Sequence, residues 1–440
     1  MTAALAGFFE KYSLHVGERI RVHWKNMPVE GVIIPQPSQG DILKIKLASG
    51  YNTGLDINHI SSVEKIPSLK SNHSEKIVEH TLPSSAHVTN RPGFSLIGVG
   101  GTIASKVNYE TGGVIAQITP DELSEMVPQI KEFAQIKQVV TPFTKMSEDN
   151  VPADWIRIAH ACYDELIKPD VNGVVVSHGT DTLHYTASAL SFMLRNLNKP
   201  VVLVGSQRSS DRGSSDSVMN LICSARVAIS DIAEVGTCMH ATTSDDYCFF
   251  SRGTSVRKMH STRRDAFRSI NQLPLLKVWP DGKMEKVSEY HPRSQEKLSL
   301  DAVFEENIAL IKVFPNMKAD VLEYYMSKGC KGFVMEATGL GHVHTTNIIP
   351  AIQHATQKGI PVFITSQTIY GRVDLNVYTN LRLLQNAGAI GLEDMLAETA
   401  YVKLGWVLAH TKEREKVKEM MLTNYAGEIT PFSRTDVFLN

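Results

Sequence analysis

The stretch that decides the fold is Val174-Val-Val-Ser-His-Gly-Thr-Asp-Thr-Leu-His184. Its first residues are β-branched and apolar, which predicts a buried strand that ends at the polar residues around Gly179. Apolar side chains then recur at spacings of three and four, as on one face of a helix. Because parallel sheets bind ligands at the carboxyl ends of their strands, we expect Ser177, Thr180 and Asp181 to line a cleft there.

A helix N-cap is an equally good interpretation of this turn alone, because Thr and Asp side chains accept hydrogen bonds from the free amides of a first helical turn. A second turn, Ile97-Gly-Val-Gly-Gly-Thr-Ile-Ala-Ser105, favours a catalytic site over a simple helix cap. It does not fit the dinucleotide-binding pattern G-x-G-x-x-G, since Ile103 occupies the third glycine position. Its glycines would let backbone amides approach a substrate, and Thr102 would present a hydroxyl that needs a base to become a nucleophile. A tight turn without chemistry is the alternative.

The composition excludes several classes of protein. The chain has 440 residues, with 42% hydrophobic residues, 21% charged residues and a formal net charge of -1, which does not attract nucleic acid or anionic membranes. Its 5 cysteines form no C-x-x-C pair, which indicates reduced thiols in a cytoplasmic protein. The amino terminus does not resemble a signal peptide, and no apolar run is long enough to span a membrane. No phosphate-binding G-x-x-x-x-G-K-[ST] motif is present.

The sequence predicts three domains and one linker. Residues 1–75 contain short alternating strands separated by turn residues, typical of a small all-β barrel that serves for interaction or as a structural cap. Residues 76–92 are rich in Ser, His and Pro, as in a linker. Beyond them, strands alternate with amphipathic helices, which predicts the α/β class with doubly wound parallel sheets. The pattern is lost near residues 271–301, so we divide this part into a larger domain (93–290) and a smaller one (291–440).

Six cationic side chains fall within residues 252–268. A solvated face with salt bridges is the favoured interpretation, and an RNA-binding patch is the alternative. Lys258 within this run could accept a proton if it lies beside Thr180 and Asp181, because lysine responds strongly to its surroundings. His342 and His344 lack a third ligand in the pattern, so we expect no metal.

Several motifs together resemble the threonine amidohydrolases of the L-asparaginase/glutaminase family. They are Gly100-Gly-Thr-Ile-Ala104 with Asn108-Tyr109, Lys145-Met-Ser-Glu-Asp149, His178-Gly-Thr-Asp-Thr182, Arg257-Lys-Met-His260 and the helical segment that begins at Glu393-Asp-Met-Leu-Ala-Glu398. The similarity covers about residues 93–425. The additional amino-terminal module and the basic run resemble one branch of the family, the D subunits of archaeal glutamyl-tRNA(Gln) amidotransferases.

The resemblance implies a role for each matching residue. The implied catalytic residues are Thr102, Thr180, Asp181, Lys258 and Tyr109. The implied substrate-binding residues are Ser147, Glu148, Gly101 and Gly179. Thr102 would be the nucleophile, with Tyr109 on a mobile lid (106–113), and the second threonine would manage protons or activate water. The division of work between the two threonines stays open. So does the preference for Gln or Asn, because Glu148 stands where many members carry Gln.

The resemblance also implies partners. This chain would hydrolyse glutamine and supply ammonia to an E subunit that binds Glu-tRNA(Gln) and uses ATP and Mg²⁺. It would bind no cofactor itself, contact tRNA mainly through that partner, and form the homodimer core of a heterotetramer in the cytoplasm, away from membranes. The alternatives are a free-standing L-asparaginase and a catalytically silent scaffold. The amino-terminal module argues against the first, and the complete set of site residues argues against the second.

Overall fold

A computed structural model describes most of the chain. It covers residues 2–25, 27–34, 36, 40–47, 52–66, 91–100, 127–208 and 214–438, together with the backbone of 105–107 and 114–116. The predicted site residues Gly101, Thr102 and Tyr109 lie outside the described residues, as do most of the predicted linker and most of the predicted lid.

The amino-terminal module combines a helix with an antiparallel sheet. Its elements are α1 (Ala3–Lys11), β1 (Arg19–Trp24), β2 (Met27–Ile33), β3 (Ile42–Lys46), β4 (Asn52–Asp56) and β5 (Ile60–Lys65). The described strands pair in the order β4-β3-β2-β1-β5. Alternate residues such as Ile20 and Val22 point into the core, where they meet Leu5 of the helix. The strands β1 to β4 were predicted, whereas α1 and β5 were not. The start of α1 depends on a hydrogen bond from Leu5 N to the Thr2 side chain, which the apolar pattern does not show. In β5, buried and exposed residues alternate only weakly.

The larger sheet has a parallel centre. Its region contains β6 (Gly93–Gly98), β7 (Ser105–Val107), β8 (Val114–Ala116), α2 (Ile130–Phe133), β9 (Gln135–Val140), α3 (Pro152–Leu166), β10 (Val174–Ser177), α4 (Leu183–Met193), β11 (Leu194–Arg195), β12 (Val201–Val204), α5 (Ser217–Ala228), β13 (Val235–His240), β14 (Cys248–Arg252), β15 (Val256–Lys258), β16 (Phe267–Ser269), β17 (Leu276–Val278), β18 (Met284–Lys286) and β19 (Ser299–Leu300). The described order is β18-β17-β14-β13-β12-β10-β6-β9. The five neighbouring strands β9, β6, β10, β12 and β13 are parallel to one another, as predicted. β14, β17 and β18 pair antiparallel with their neighbours, because loops join β13 to β14 and β17 to β18, and the β15–β16 hairpin stands between β14 and β17 in place of a crossover helix.

The smaller sheet is parallel throughout its described strands. This part contains β20 (Ile308–Lys312), α6 (Asp320–Ser327), β21 (Gly332–Ala337), α7 (Ile348–Gln357), β22 (Val362–Ser366), α8 (Thr379–Asn386), β23 (Ile390–Gly391), α9 (Ala397–His410) and α10 (Arg414–Leu422). The strands pair in sequence order. Helix α9 joins the two α/β regions, since Trp406 stacks on Phe192 of α4 at 5.9 Å between ring centres. The α/β class with two such sheets and a strand-rich module in front is confirmed.

Candidate active site

The strands that carry the predicted motifs end at one level. Ser177 at the end of β10 pairs with Gly98 of β6 on one side and with Val204 of β12 on the other. The loops that follow these three strands therefore begin side by side at one edge of the sheet. The backbone continues this alignment beyond the strands, where Val99 N donates to Ser177 O at 3.1 Å. The sequence predicts the strand-end cleft at this edge, which is called the cleft below.

Thr180, Asp181 and Lys258 form one hydrogen-bonded group. Lys258 Nζ donates to Thr180 Oγ1 at 2.8 Å and to Asp181 Oδ1 at 2.7 Å. The lysine side chain is only 10% exposed, whereas that of Asp181 is 64% exposed. Helix α4 begins at Leu183 after Thr182, so the helix-cap interpretation of Thr180 and Asp181 is wrong. Thr180 and Lys258 are called the threonine–lysine pair below.

A β-hairpin brings Lys258 to the cleft from far along the chain. Lys258 is the last residue of β15 and pairs with Phe267 of β16. Its neighbour Arg257 forms an ion pair of 2.9 Å with Glu398 in the first turn of α9, which is buried. Burial raises the pKa of Glu398, and the charge of Arg257 opposes that shift. The hairpin is thus fixed against the smaller domain as well as against Thr180.

Ser147 packs directly on Gly179. A side chain at Gly179 would place its Cβ 2.7 Å from both Cβ and Oγ of Ser147, so glycine is required by space. Ser147 is buried in a short 3-10 helix, and Thr182 Oγ1 donates to its carbonyl at 2.6 Å. Gly100 has φ +104 and lies against the backbone of Lys145, which excludes a side chain there too. These contacts gather the β6, β9 and β10 loops around one cleft.

His178 holds the floor of the cleft as a neutral imidazole. Nδ1 lies 2.7 Å from Gly179 O, which can only accept, so Nδ1 carries the proton. Nε2 then accepts from Thr186 Oγ1 at 2.9 Å and from Asn150 Nδ2 at 3.1 Å. Burial lowers the pKa of His178 to about 4, and the hydrogen bond to Gly179 opposes that shift.

A second buried histidine stands in the first turn of α4. Burial lowers the pKa of His184 to about 3, and the charges of Arg257 and Lys258 contribute in the same direction. From the sequence, no role was predicted for His178, His184, Asn150 or the Arg257–Glu398 ion pair. The signal for these residues was their place within or next to the quoted motifs: His178, Arg257 and Glu398 lie inside them, Asn150 follows Asp149, and His184 lies two residues after Thr182.

The structure brings most of the described site residues together. Thr180, Asp181, Lys258, Ser147 and Gly179 meet at the cleft. Glu148 is exposed to solvent beside Ser147, and its predicted role in substrate binding stays a prediction.

The cations of the basic run (residues 252–268) all lie in ion pairs with carboxylates. Its six cations pair with carboxylates as follows: Arg252 with Glu234, Arg257 with Glu398, Lys258 with Asp181, Arg263 and Arg268 with Asp265, and Arg264 with Asp245. These pairs favour the salt-bridge interpretation over an RNA-binding patch.

Metal-binding groups and membrane-spanning helices are both absent from the described part of the chain. Among the residues that the structure describes, no group of three or more His, Cys, Asp or Glu side chains is placed to hold a metal ion. The 5 cysteines are free and buried, as the sequence predicts. In the same described part, no helix is both long and apolar enough to cross a membrane.

Comparisons with known proteins agree with the motifs and the fold. Three family models match successive parts of the chain: "GatD N-terminal domain" at residues 14–66, "Asparaginase, N-terminal" at 94–292 and "Glutaminase/Asparaginase C-terminal domain" at 307–421. The D subunit of glutamyl-tRNA(Gln) amidotransferase from Pyrococcus horikoshii is 50% identical, over 98% of this chain and 99% of its own length. The chain belongs to the family of these amidotransferase D subunits. A member from Sulfolobus acidocaldarius is 44% identical, over 98% of this chain and 95% of its own length.

Solved structures place this D-subunit family on the asparaginase fold. The thermostable L-asparaginase from Thermococcus kodakarensis is 31% identical with a TM-score of 0.70, covering 77% of this chain and 99% of its own. L-asparaginase I from Vibrio cholerae is 28% identical with a TM-score of 0.66, covering 78% of this chain and 100% of its own. The family therefore joins an asparaginase-like fold to a further amino-terminal domain.

Proposed function

We propose that this chain is the glutaminase subunit of a tRNA-dependent amidotransferase. It hydrolyses glutamine to glutamate and ammonia, and a partner subunit uses the ammonia to convert Glu-tRNA(Gln) to Gln-tRNA(Gln) with ATP. The observation that carries the proposal is the largely buried Lys258 ammonium between Thr180 Oγ1 and Asp181 Oδ1. The names of the relatives support the tRNA-dependent reaction.

The proposed chemistry is a double displacement at the side-chain amide. The Thr102 hydroxyl oxygen attacks the carboxamide carbon and its proton passes to a base. The C–N bond then breaks, the nitrogen takes up a proton and leaves as ammonia, and an ester to Thr102 remains. Water adds to the ester carbon, which releases glutamate and restores the hydroxyl. Amide groups of the glycine-rich loop stabilise the oxyanion, and each such donor is worth about 10²–10³ in rate.

The threonine–lysine pair manages the proton in this scheme. With Lys258 charged, its Nζ donates to Thr180 Oγ1, and the threonine hydrogen is free to point at water or substrate. With Lys258 neutral, the same 2.8 Å contact lets Thr180 donate its proton to the amine. Asp181 stabilises the charged lysine that results, because the carboxylate lies 2.7 Å from Nζ.

The substrate's α-groups find complementary charge at the cleft. Asp181 is exposed enough to accept a hydrogen bond from an α-ammonium group while it also holds Lys258. Ser147 and the backbone at Gly179 adjoin the amino-terminal end of α4, where free amides favour an α-carboxylate. These residues are proposed to fix the amino acid while its side-chain amide reaches Thr102.

In this scheme the partner subunit binds ATP and Mg²⁺ and makes most of the contacts with the tRNA. This chain binds no cofactor of its own, and two copies form the core of a heterotetramer with two E subunits. The proposed catalytic residues all lie beyond the linker, so the amino-terminal module is not needed for the chemistry. Its proposed role is to link the glutaminase to the partner. A free-standing asparaginase is the second candidate, supported by the solved L-asparaginases that share the fold.

Ammonia release from glutamine and from asparagine tests both candidates. We expect slow glutamine hydrolysis by the isolated chain and faster hydrolysis when the partner and Glu-tRNA are added. A partner can accelerate turnover only by as much as it prefers the active conformation. Deleting residues 1–75 should weaken this acceleration and leave the basal rate. Rapid asparagine hydrolysis that neither addition changes would exclude the amidotransferase and favour the asparaginase.

Two substitutions test the catalytic threonines in the same assay. Thr102→Val and Thr180→Val remove a hydroxyl at constant volume and should abolish hydrolysis in a folded chain. Thr356→Val is the matched control, because Thr356 is also buried and donates to Ala387 O at 2.6 Å, in the smaller domain. Normal turnover by a folded Thr102→Val variant would remove Thr102 from the nucleophile role.

A further inference from the structure

A line of polar side chains runs from the β15–β16 hairpin into the protein. At the hairpin, Arg264 donates to Asp245 Oδ1 at 2.6 Å and to the carbonyl of Thr243. The same Asp245 oxygen lies 3.0 Å from Nε2 of His240, which is fully buried at the end of β13. His240 Nδ1 lies 2.5 Å from Asn220 Oδ1 on α5. The hairpin loop is thus tied to a buried helix through one histidine.

The line continues to the loop that follows β12. Asn220 Nδ2 donates to Gly205 O at 2.9 Å and to Asp216 Oδ2 at 3.1 Å. These two acceptors fix the amide orientation, so the Asn220 oxygen must face His240. Asp216 is fully buried and accepts from the backbone amides of residues 207–208 at 3.0–3.1 Å. The 205–208 loop is therefore held by the same buried residues.

The partners of His240 define its protonation. Asn220 Oδ1 and the Asp245 carboxylate can only accept hydrogen bonds, so both ring nitrogens of His240 must donate. Acidic and basic side chains thus alternate along the line, from Arg264 through Asp245 and His240 to Asp216, and burial raises the pKa of Asp216. Among the described residues, the Cys248 thiol also donates to Asn220 Oδ1 and Arg268 donates to Ala241 O.

One end of this line lies against Thr180, and the other end lies in the loop that follows Lys258. A Cβ at Gly205 would lie 2.8 Å from Thr180 Cγ2, so the 205–208 loop supports Thr180 directly. Arg264 belongs to the loop that joins Lys258 to β16. We propose that His240 is a positioning residue, whose imidazolium holds the hairpin and the 205–208 loop together and so sets the Thr180–Lys258 contact. The expected effect on rate rests on the proposed amide hydrolysis.

His240→Gln removes the positive charge of the imidazolium. The glutamine amide nitrogen also cannot donate to both Asn220 and Asp245 from opposite sides, as the two ring nitrogens do. We expect kcat for glutamine to fall by about 10–100-fold, because a displacement of about 1 Å at a reacting group costs up to 10²-fold. KM should change less than kcat, since Ser147 lies on the β9 loop outside this line, whereas Asp181 shares Lys258 with Thr180. Asp245→Asn is a second variant, at a side chain that is 67% exposed, and should fold normally. It should reproduce the loss in kcat, and the double variant should lose little more.

His410→Gln is the matched control. His410 Nδ1 lies 2.8 Å from Trp406 O and Nε2 lies 3.0 Å from both oxygens of Asp301, so this ring also donates twice. It stands at the end of α9 and does not contact the hairpin or the 205–208 loop. We expect His410→Gln to keep the wild-type kcat. An equal loss of kcat in the His410 and His240 variants would overturn the proposal.

Two measurements on the full chain decide the proposal independently of turnover. ¹⁵N NMR of histidine-labelled protein should show both His240 nitrogens protonated at neutral pH, with the signals assigned by their loss in His240→Gln. Hydrogen–deuterium exchange should accelerate in residues 205–208 and 256–268 of His240→Gln and Asp245→Asn, and not in His410→Gln. A deprotonated ring nitrogen, or unchanged exchange in both segments, overturns the proposal. If the wild type hydrolyses neither amide, the proposed function fails, and these measurements still decide the role of His240.

Discussion

Replacing Lys258 with arginine separates proton transfer from charge. Arginine keeps the positive charge and can still pair with Asp181, but a guanidinium cannot lose a proton at working pH. If Lys258 accepts the proton of Thr180 across their 2.8 Å contact, the variant loses general-base catalysis. That contribution is typically about 10²–10⁴ in rate, or about 2.7–5.5 kcal/mol in the barrier. We therefore expect kcat for glutamine to fall by this factor.

The same substitution should change stability through packing and not through the ion pair. Lys258 is paired with a carboxylate that is 64% exposed, and ion pairs with an exposed partner contribute about 0–1 kcal/mol. The lysine side chain itself is only 10% exposed, so the larger guanidinium adds an overpacking cost of about 1–3 kcal/mol. The free energy of unfolding therefore has to be measured beside the rate, so that loss of catalysis is distinguished from loss of stability.

The assay is steady-state ammonia release together with urea unfolding. Lys312→Arg is the matched control, because Lys312 is also the last residue of a strand and donates to a carboxylate, Glu336, at 3.0 Å. It should keep both the rate and the stability of the wild type. Retention of more than about a tenth of the rate in Lys258→Arg would refute proton transfer to Lys258 and leave it a role as a charge.

Other consequences concern space, pH and buried charge. Gly179→Ala places a methyl group 2.7 Å from Ser147 and should destabilise the chain by about 1–3 kcal/mol, with loss of glutamine hydrolysis. Thermal unfolding and ammonia release check both effects, and wild-type values would contradict the tight packing. Burial holds the pKa of His178 at about 4, below its ordinary 6.5, so the unfolded chain binds this proton first as the pH falls. Stability from this group is present above pH 6.5 and should decrease by about 3 kcal/mol toward pH 4, with a shallower slope in His178→Gln as the check by urea titration. Lys403→Met breaks a fully buried ion pair with Glu428 and should cost about 3–5 kcal/mol in urea unfolding, part of which Glu428→Gln should restore; an unchanged midpoint would contradict this.

The alternation of buried strands and amphipathic helices in the α/β part could be predicted from the sequence, and the structure has it from β10 to α5 and from β20 to α7. Apolar periodicity carries this information because buried parallel strands and packed helices must be apolar on their contact faces. The antiparallel strands β14, β17 and β18 were not predicted as such, since strand direction depends on the connection and not on periodicity.

The sequence by itself determined that Thr180 and Asp181 follow a buried strand, and the same expectation for Thr102 lies outside the described residues. An apolar strand that stops at glycine and polar residues brings these side chains to the edge of the sheet. Only the tertiary structure decided that Lys258, which is 78 residues from Thr180 in the chain, lies 2.8 Å from it. It also decided that the basic run is paired with carboxylates and that His240 lies buried between Asn220 and Asp245. Such pairings depend on which loops the sheet brings together, and local sequence patterns do not encode contacts between segments so far apart in the chain.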